Sequence, residues 1–238
     1  MKNRHLQSWL RFAPVLFALA GCVAPVQARE AQYLPAGQPD PVALLAAPPL
    51  PGSPEEAADL AEVRSVCRAA PGNEVSDAMA ERKFSVFTFA PAVGDFFRPG
   101  NYPKTGQFFH QVQKDAANAT DDAKEIWKRP RPCVLDPTLA AGKLEKSFSY
   151  PSGHSTESMV LALLLADLFP GKRDAILAEA RRIGWHRVEI ARHYPTDIYA
   201  GRVFARAIVR EMKKNPAFQA NFAAVKAEIA ALPQAARN

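Results

Sequence analysis

No stretch of this sequence reaches the ~20 apolar residues that a permanent helical membrane span requires, which excludes a multi-span architecture. It has no convincing run of alternating apolar and polar residues, so a sheet is not expected, and no tandem repeat. No basic stripe and no RNA-type aromatic motif accompanies its charge, so nucleic acid is not an expected partner. Residues 1–28 contain no acid, only the basic Lys2, Arg4 and Arg11. Taking those three from the 30 basic residues leaves 27 against 24 acidic ones, a net charge of +3 and an ordinary soluble surface. What is present is a chain of 238 residues, 48% hydrophobic and 23% charged, with 14 phenylalanines. That composition excludes disorder and collagen-like structure and suits one domain with a sizeable core.

Residues 1–11 (MKNRHLQSWLR) are basic and residues 12–20 (FAPVLFALA) apolar, the layout of a secretory leader. Val26-Gln27-Ala28 is a small-residue cleavage site, which makes residues 1–28 a signal peptide. Leu19-Ala20-Gly21-Cys22 competes with it, resembling the lipobox of bacterial lipoproteins, where Cys22 would carry a lipid anchor. Both routes export the chain, with a Gram-negative periplasm as the destination. Cys22 is then lost or lipidated, leaving Cys67 and Cys133 in an oxidising compartment. A Cys67–Cys133 disulfide is the expectation there, and two buried thiols the alternative.

Residues 29–52 form a Pro-rich arm, for residues 35–54 hold seven of the 21 prolines. That density defeats a regular helix and leaves either a linker or a strap lying on the domain. Residues 53–238 then read as one all-α domain. Ser53, Pro54 and Glu56 form a helix start of the capping-box type. Helices are predicted over 54–69, 76–90, 103–117, 119–128, 155–169, 172–192, 197–214 and 216–231. Thr196 is the expected cap of the seventh, and Asn215-Pro216 opens the last. The segment 155–169 (STESMVLALLLADLF) is apolar on all sides and short, the mark of a buried core helix.

Polar residues collect at three helix ends. Lys124 and Arg131 flank the first, seven residues apart, with Pro130 and Pro132 forcing the chain out of the helix around Arg131. A guanidinium fork held in a rigid turn suits bidentate phosphate recognition. The second is Tyr150-Pro151-Ser152-Gly153-His154-Ser155, directly before the core helix. Unpaired first-turn amides and the helix dipole make an anion site there, with His154 at its rim as a proton donor. The third runs from Arg187 through His193-Tyr-Pro-Thr to Asp197. A carboxylate four residues on, across the Pro195 turn, can fix one imidazole nitrogen and free the lone pair of the other. A nucleophilic histidine requires that arrangement. Taken singly, these segments also read as a solvated basic helix end, a serine N-cap and a structural His–Asp junction.

Together the three segments resemble the signature of the type-2 phosphatidic acid phosphatase (PAP2) superfamily: K-x6-R-P, then P-S-G-H, then S-R-x5-H-x3-D. Within it the chain is similar, from about Tyr33 on, to the bacterial class A non-specific acid phosphatases. The resemblance implies an all-α domain of the PAP2 and vanadium haloperoxidase type. It implies a metal-independent acid phosphatase needing no cofactor, which hydrolyses small phosphomonoesters through a phosphohistidine and is inhibited by vanadate. His193 would be the nucleophile, Asp197 its orienting partner and His154 the acid and base. Lys124, Arg131, Ser152, Gly153 and Arg187 would hold the phosphoryl oxygens. The relatives also imply a homodimer.

Two positions depart from the pattern. His186 stands where the family has serine, and Arg192 where it often has a small residue; a surface position is expected for Arg192. Three alternatives remain at this level. His154, His186, His193 and Asp197 could imitate a metal ligand set, although three nearby cations would repel a dication. A protein tethered at Cys22 could act on lipid phosphates or pyrophosphates. A non-catalytic phosphate-binding lipoprotein would not need an oriented histidine.

Overall fold

The computed structural model describes residues 31–140 and 143–231, and the expected signal peptide, lipobox and Cys22 lie outside them. The described residues are helical, with turns and no strand. Seven helices carry the fold: α1 (Pro54–Ala69), α2 (Gly72–Ala80), α3 (Pro103–Trp127), α4 (Gly153–Leu168), α5 (Arg173–Glu189), α6 (Pro195–Met212) and α7 (Pro216–Ala230). Helix α4 sits at the centre, packed by α3, α5 and α6. Met159, Val160, Leu161, Leu164 and Leu165 are all buried along it, as a helix apolar on every side must be. No helix among the described residues is long and apolar enough to cross a membrane.

Small residues let the neighbours approach α4. A Cβ on Gly201 of α6 would lie 2.9 Å from the Ser152 carbonyl oxygen and 3.0 Å from Ser155 Cβ. A Cβ on Gly184 of α5 would lie 3.2 Å from Ser155 Oγ. Both helices are thereby drawn against the first turn of α4. A second apolar cluster of Val63, Val188, Ala191, Tyr194 and Ile198 joins α1 to the junction between α5 and α6.

The Pro-rich arm is a strap. Tyr33 and Leu34 are buried, and the Asp115 carboxylate accepts from the Tyr33 amide at 2.7 Å. The Tyr33 ring packs edge-on to Phe218, 5.5 Å between centroids. Asp40 caps a single helical turn, Pro41–Leu44, within the strap, and Tyr150 Oη donates to the Ala46 carbonyl.

Several boundaries differ from the sequence reading. The expected helices 103–117 and 119–128 are one helix, α3. Its Thr120 hydroxyl donates to the Ala116 carbonyl at 2.7 Å, so the polar stretch is absorbed rather than broken. The segment 76–90 divides: α2 ends at Ala80, and a capping box of Ser85 and Thr88 starts a separate turn, Val86–Phe89. Helix α6 begins at Pro195 with Tyr194 as its cap, not Thr196. Ser53 accepts from the Glu56 amide as expected, but the Glu56 carboxylate reaches the Gly52 amide at 2.7 Å instead of closing the box. The expected disulfide is not formed. Cys67 and Cys133 are free thiols, and Cys67 Sγ donates to the Val188 carbonyl.

Candidate active site

Two left-handed residues aim the site. Helix α3 ends at Lys128, whose φ of 48° turns the chain so that Arg129 and Arg131 both enter the interior. Helix α5 ends at Glu189, and Ala191, with φ of 52°, turns the chain back toward α6. The Arg187 carbonyl then accepts from the amides of both Arg192 and His193, at 2.8 and 3.1 Å. The spacing between Arg187 and His193 is therefore that of a helix end plus one left-handed turn.

His193 is buried. Its Nδ1 lies 3.3 Å from Asp197 Oδ2, and its Nε2 lies 3.2 Å from Arg131 Nη1. A carboxylate at one nitrogen and a guanidinium donor at the other assign the tautomer: Nδ1 carries the proton and Nε2 the lone pair. Burial first, then the Arg131 and Lys124 charges, hold the imidazole well below its ordinary value, so it is neutral. Asp197 is wholly buried, and Oδ2 also accepts from Ser149 Oγ at 2.5 Å and from the Tyr194 amide at 3.0 Å.

Arg131 is held throughout. Nε donates to the Ser147 carbonyl at 2.8 Å, Nη1 to the Arg192 carbonyl at 2.8 Å and Nη2 to Ser147 Oγ at 3.0 Å. Arg187 is buried in α5, its Nη1 near the Ala78 carbonyl, and burial lowers its guanidinium to about 10. Glu145, on the loop before α4, spans the two forks. Its Oε2 is 2.7 Å from Arg131 Nη2 and its Oε1 is 2.6 Å from Arg187 Nη2. Burial opposes its charge, yet Arg131, then His193 and Arg187, hold the carboxyl down to about 2.

Lys124 is buried on the last turn of α3, and a Cβ on Gly153 would come within 3.6 Å of its Nζ. Ser152 caps α4, its Oγ 3.4 Å from the Ser155 amide. Its own amide donates to the Asp197 carbonyl oxygen at 3.1 Å, which ties the second motif to the third. His154 lies on the first turn of α4, with Nε2 3.2 Å from the Glu81 carbonyl oxygen and its ring 5.4 Å from that of Phe84. Burial, then Arg187, lowers it to about 3. A cleft of about 390 Å³ opens beside it, lined by Arg82, Lys83, Phe84, Lys114, His154 and Glu157, among others.

Lys124, Arg131, His154, Arg187 and His193 thus converge, with Asp197 behind His193 and Gly153 beside Lys124. His186 does not join them. Its Nδ1 is 2.7 Å from Glu81 and its Nε2 2.7 Å from Glu74, and although burial opposes the charge, these carboxylates raise it. The imagined metal quartet of His154, His186, His193 and Asp197 is therefore divided. Arg192 is buried, not on the surface, and its Nη2 donates to the Lys143 carbonyl.

Sequence reading missed Arg129, Asp59, Ser149, Glu81 and Glu145. Arg129 pairs with Asp197 at 2.7 Å and with Asp59 of α1 at 2.8 Å, and lies 3.7 Å over the Tyr194 ring. Its signal was present in the Lys-Arg-Pro-Arg run, but nothing in the run distinguishes it from Arg131.

An oriented imidazole and several buried cations gathered beside one helix N-terminus carry the charge and donors that could hold an oxyanion. Residues 112–218 match the sequence profile of the PAP2 superfamily. The chain is 31% identical, over 150 residues, to a non-specific acid phosphatase of Providencia stuartii, covering 60% of each protein. It is 28% identical, over 200 residues, to an acid phosphatase of Zymomonas mobilis, covering 80% of this chain and 75% of that one. The match thus spans about three fifths of the length of the first of these relatives. A solved transmembrane PAP2-type phosphatidylglycerolphosphate phosphatase from Bacillus subtilis aligns with a TM-score of 0.48 at 24% identity, over 67% of this chain and 84% of that one.

Proposed function

We propose that this protein is an exported, metal-independent acid phosphatase that hydrolyses phosphomonoesters through a phosphohistidine. The observation that carries the reading is His193: a buried, neutral imidazole with Nδ1 on Asp197 and Nε2 beside the cation cluster. In the first step Nε2 attacks phosphorus. The bond from phosphorus to the ester oxygen breaks, and His154 gives its proton to the departing alcohol. In the second, His154 takes a proton from water, the hydroxide attacks phosphorus, and the phosphorus–nitrogen bond returns its electron pair to His193. Lys124, Arg131, Arg187 and the first-turn amides of α4 hold the phosphoryl oxygens, where charge spreads in the transition state. Ser152 acts from below by fixing that turn. The cations supply the charge that a metal supplies elsewhere and repel a dication, so activity should survive chelation. Export to the periplasm rests on the leader pattern of residues 1–28. The relatives named as acid phosphatases favour a phosphomonoester over a merely bound anion.

The test is acid-quench labelling with a radioactive phosphomonoester. Wild type should yield an acid-labile, base-stable phosphoenzyme. His193→Ala should yield none and should lose turnover of p-nitrophenyl phosphate. Vanadate should inhibit as a mimic of five-coordinate phosphorus. A wild-type protein that binds phosphate but forms no phosphoenzyme would contradict the proposal.

A further inference from the structure

We propose that Glu145 is a resident carboxylate that fills the anion cup, and that a phosphoryl group binds there only by displacing it; this rests on the phosphatase reading above. The two oxygens of Glu145 take the Nη2 donors of Arg131 and Arg187, at 2.7 and 2.6 Å. The Glu145 carboxylate feels His193 as well as both guanidinium groups, and Arg131 is the fork whose Nη1 lies 3.2 Å from His193 Nε2, so a carboxylate and a phosphoryl group at His193 would compete for the same two forks. Binding is an exchange of anions.

Glu145 is not needed to orient Arg131, which is already fixed by Ser147, Phe148 and the Arg192 carbonyl. Arg187 has besides Glu145 one long bond, Nη1 to the Ala78 carbonyl at 3.4 Å, so its fork takes an anion at Nη2 in either state. What Glu145 supplies is charge. Without an anion, two buried guanidinium groups would face each other unneutralised, and such burial is costly. Glu145 is also placed to leave. Its side chain is 28% exposed, against 3% for Arg131 and 1% for Arg187. The loop is pinned two residues later, where Ser147 and Ser149 bond Arg131, Arg129 and Asp197. The side chain can therefore swing to solvent while the Arg131 fork stays in place.

The consequence is selectivity. A carboxylate offers two oxygens and one charge. A phosphoryl dianion takes the same two donors and adds Lys124 and the first-turn amides of α4, so it wins the exchange where a small monoanion does not. Glu145 sets a threshold that an incoming anion must exceed.

The experiment compares wild type, Glu145→Gln and Glu145→Ala, each as the full protein, in calorimetric titration with inorganic phosphate. A binding-competent state populated a tenth of the time weakens the apparent affinity about tenfold. Both variants should therefore bind phosphate about tenfold more tightly than wild type. Acetate should compete with phosphate in Glu145→Ala, entering the vacated place, and should leave wild type unaffected. Glu145→Gln keeps the size of the side chain and serves if the alanine variant does not fold. Phosphate binding that is unchanged or weaker in the folded variants overturns the displacement model and makes Glu145 a positioning group. If none of the three proteins binds phosphate, the cup itself is not an anion site, and the phosphatase reading fails with it.

Discussion

At the scale of single residues, the site works by keeping two histidines different. His193 is wholly enclosed, and burial and the neighbouring Arg131 and Lys124 charges hold it well below its ordinary value. His154 lies at a cleft, and in the empty site its value of about 3 leaves it largely unprotonated at neutral pH. Both shifts move the working range toward acid. The proposed nucleophile keeps its lone pair below the ordinary imidazole range, and the fraction of His154 carrying a proton falls as pH rises above about 3. kcat/KM for an alkyl phosphate should therefore decline with rising pH. His154→Ala should flatten that profile and hurt alkyl phosphates far more than p-nitrophenyl phosphate, since a good leaving group needs little protonation. Rates across pH and leaving group test both points. Arg129 gives a second residue-scale prediction. Replacing it with Met leaves the buried Asp59 and Asp197 carboxylates without their cation and should cost about 3–5 kcal/mol in urea unfolding. The motif residues were legible in the sequence because spacing and residue type encode them. Arg129, Glu145 and Asp59 were not, because each matters through partners outside its own helix or turn, 70 positions apart for Arg129 and Asp59 and 14 and 42 for Glu145, and no local pattern marks such a pair.

At the scale of elements, sequence reading succeeded where periodicity is strong and failed at the joints. Helix α1 has the predicted bounds because Ser53 and Pro54 define its start without competition. The expected break near residue 118 does not interrupt the helix. Tertiary packing carries α3 through it, with Ala116 and Ala123 buried on either side. The turns at Lys128 and Ala191 were invisible, since neither residue favours a positive φ. The contact between α4 and α6 is the tightest joint. Gly201→Ala would place a methyl group 2.9 Å from the Ser152 carbonyl oxygen, against backbone that cannot yield cheaply. It should destabilise the protein by about 1–3 kcal/mol. It should also lower kcat, because the displaced Ser152 carries the first turn of α4. Chemical denaturation and steady-state kinetics on the same sample check the two effects.

At the scale of the whole molecule, fold class was readable from the sequence. The all-helical core follows from one buried helix and amphipathic neighbours, whereas the strap's docking depends on Asp115 receiving amides 82 and more residues away. Global stability should carry a signature from Glu157, which lies one turn beyond His154. Burial raises its carboxyl to about 7, with Gln113 Nε2 at 2.9 Å opposing the shift. A raised acid favours the folded state while protonated. Its stabilisation is fully present below the unfolded value near 4.5 and is lost as pH rises through about 7. The melting temperature should fall across that interval, and Glu157→Gln should remove this component, as calorimetric melts at stepped pH would reveal. Helix α4, finally, has two duties that cannot be separated. Its apolar length is the keel of the molecule, and its first turn is the floor of the proposed site. Heat that loosens one end should unseat the other, so the activity proposed here and the fold should be lost together.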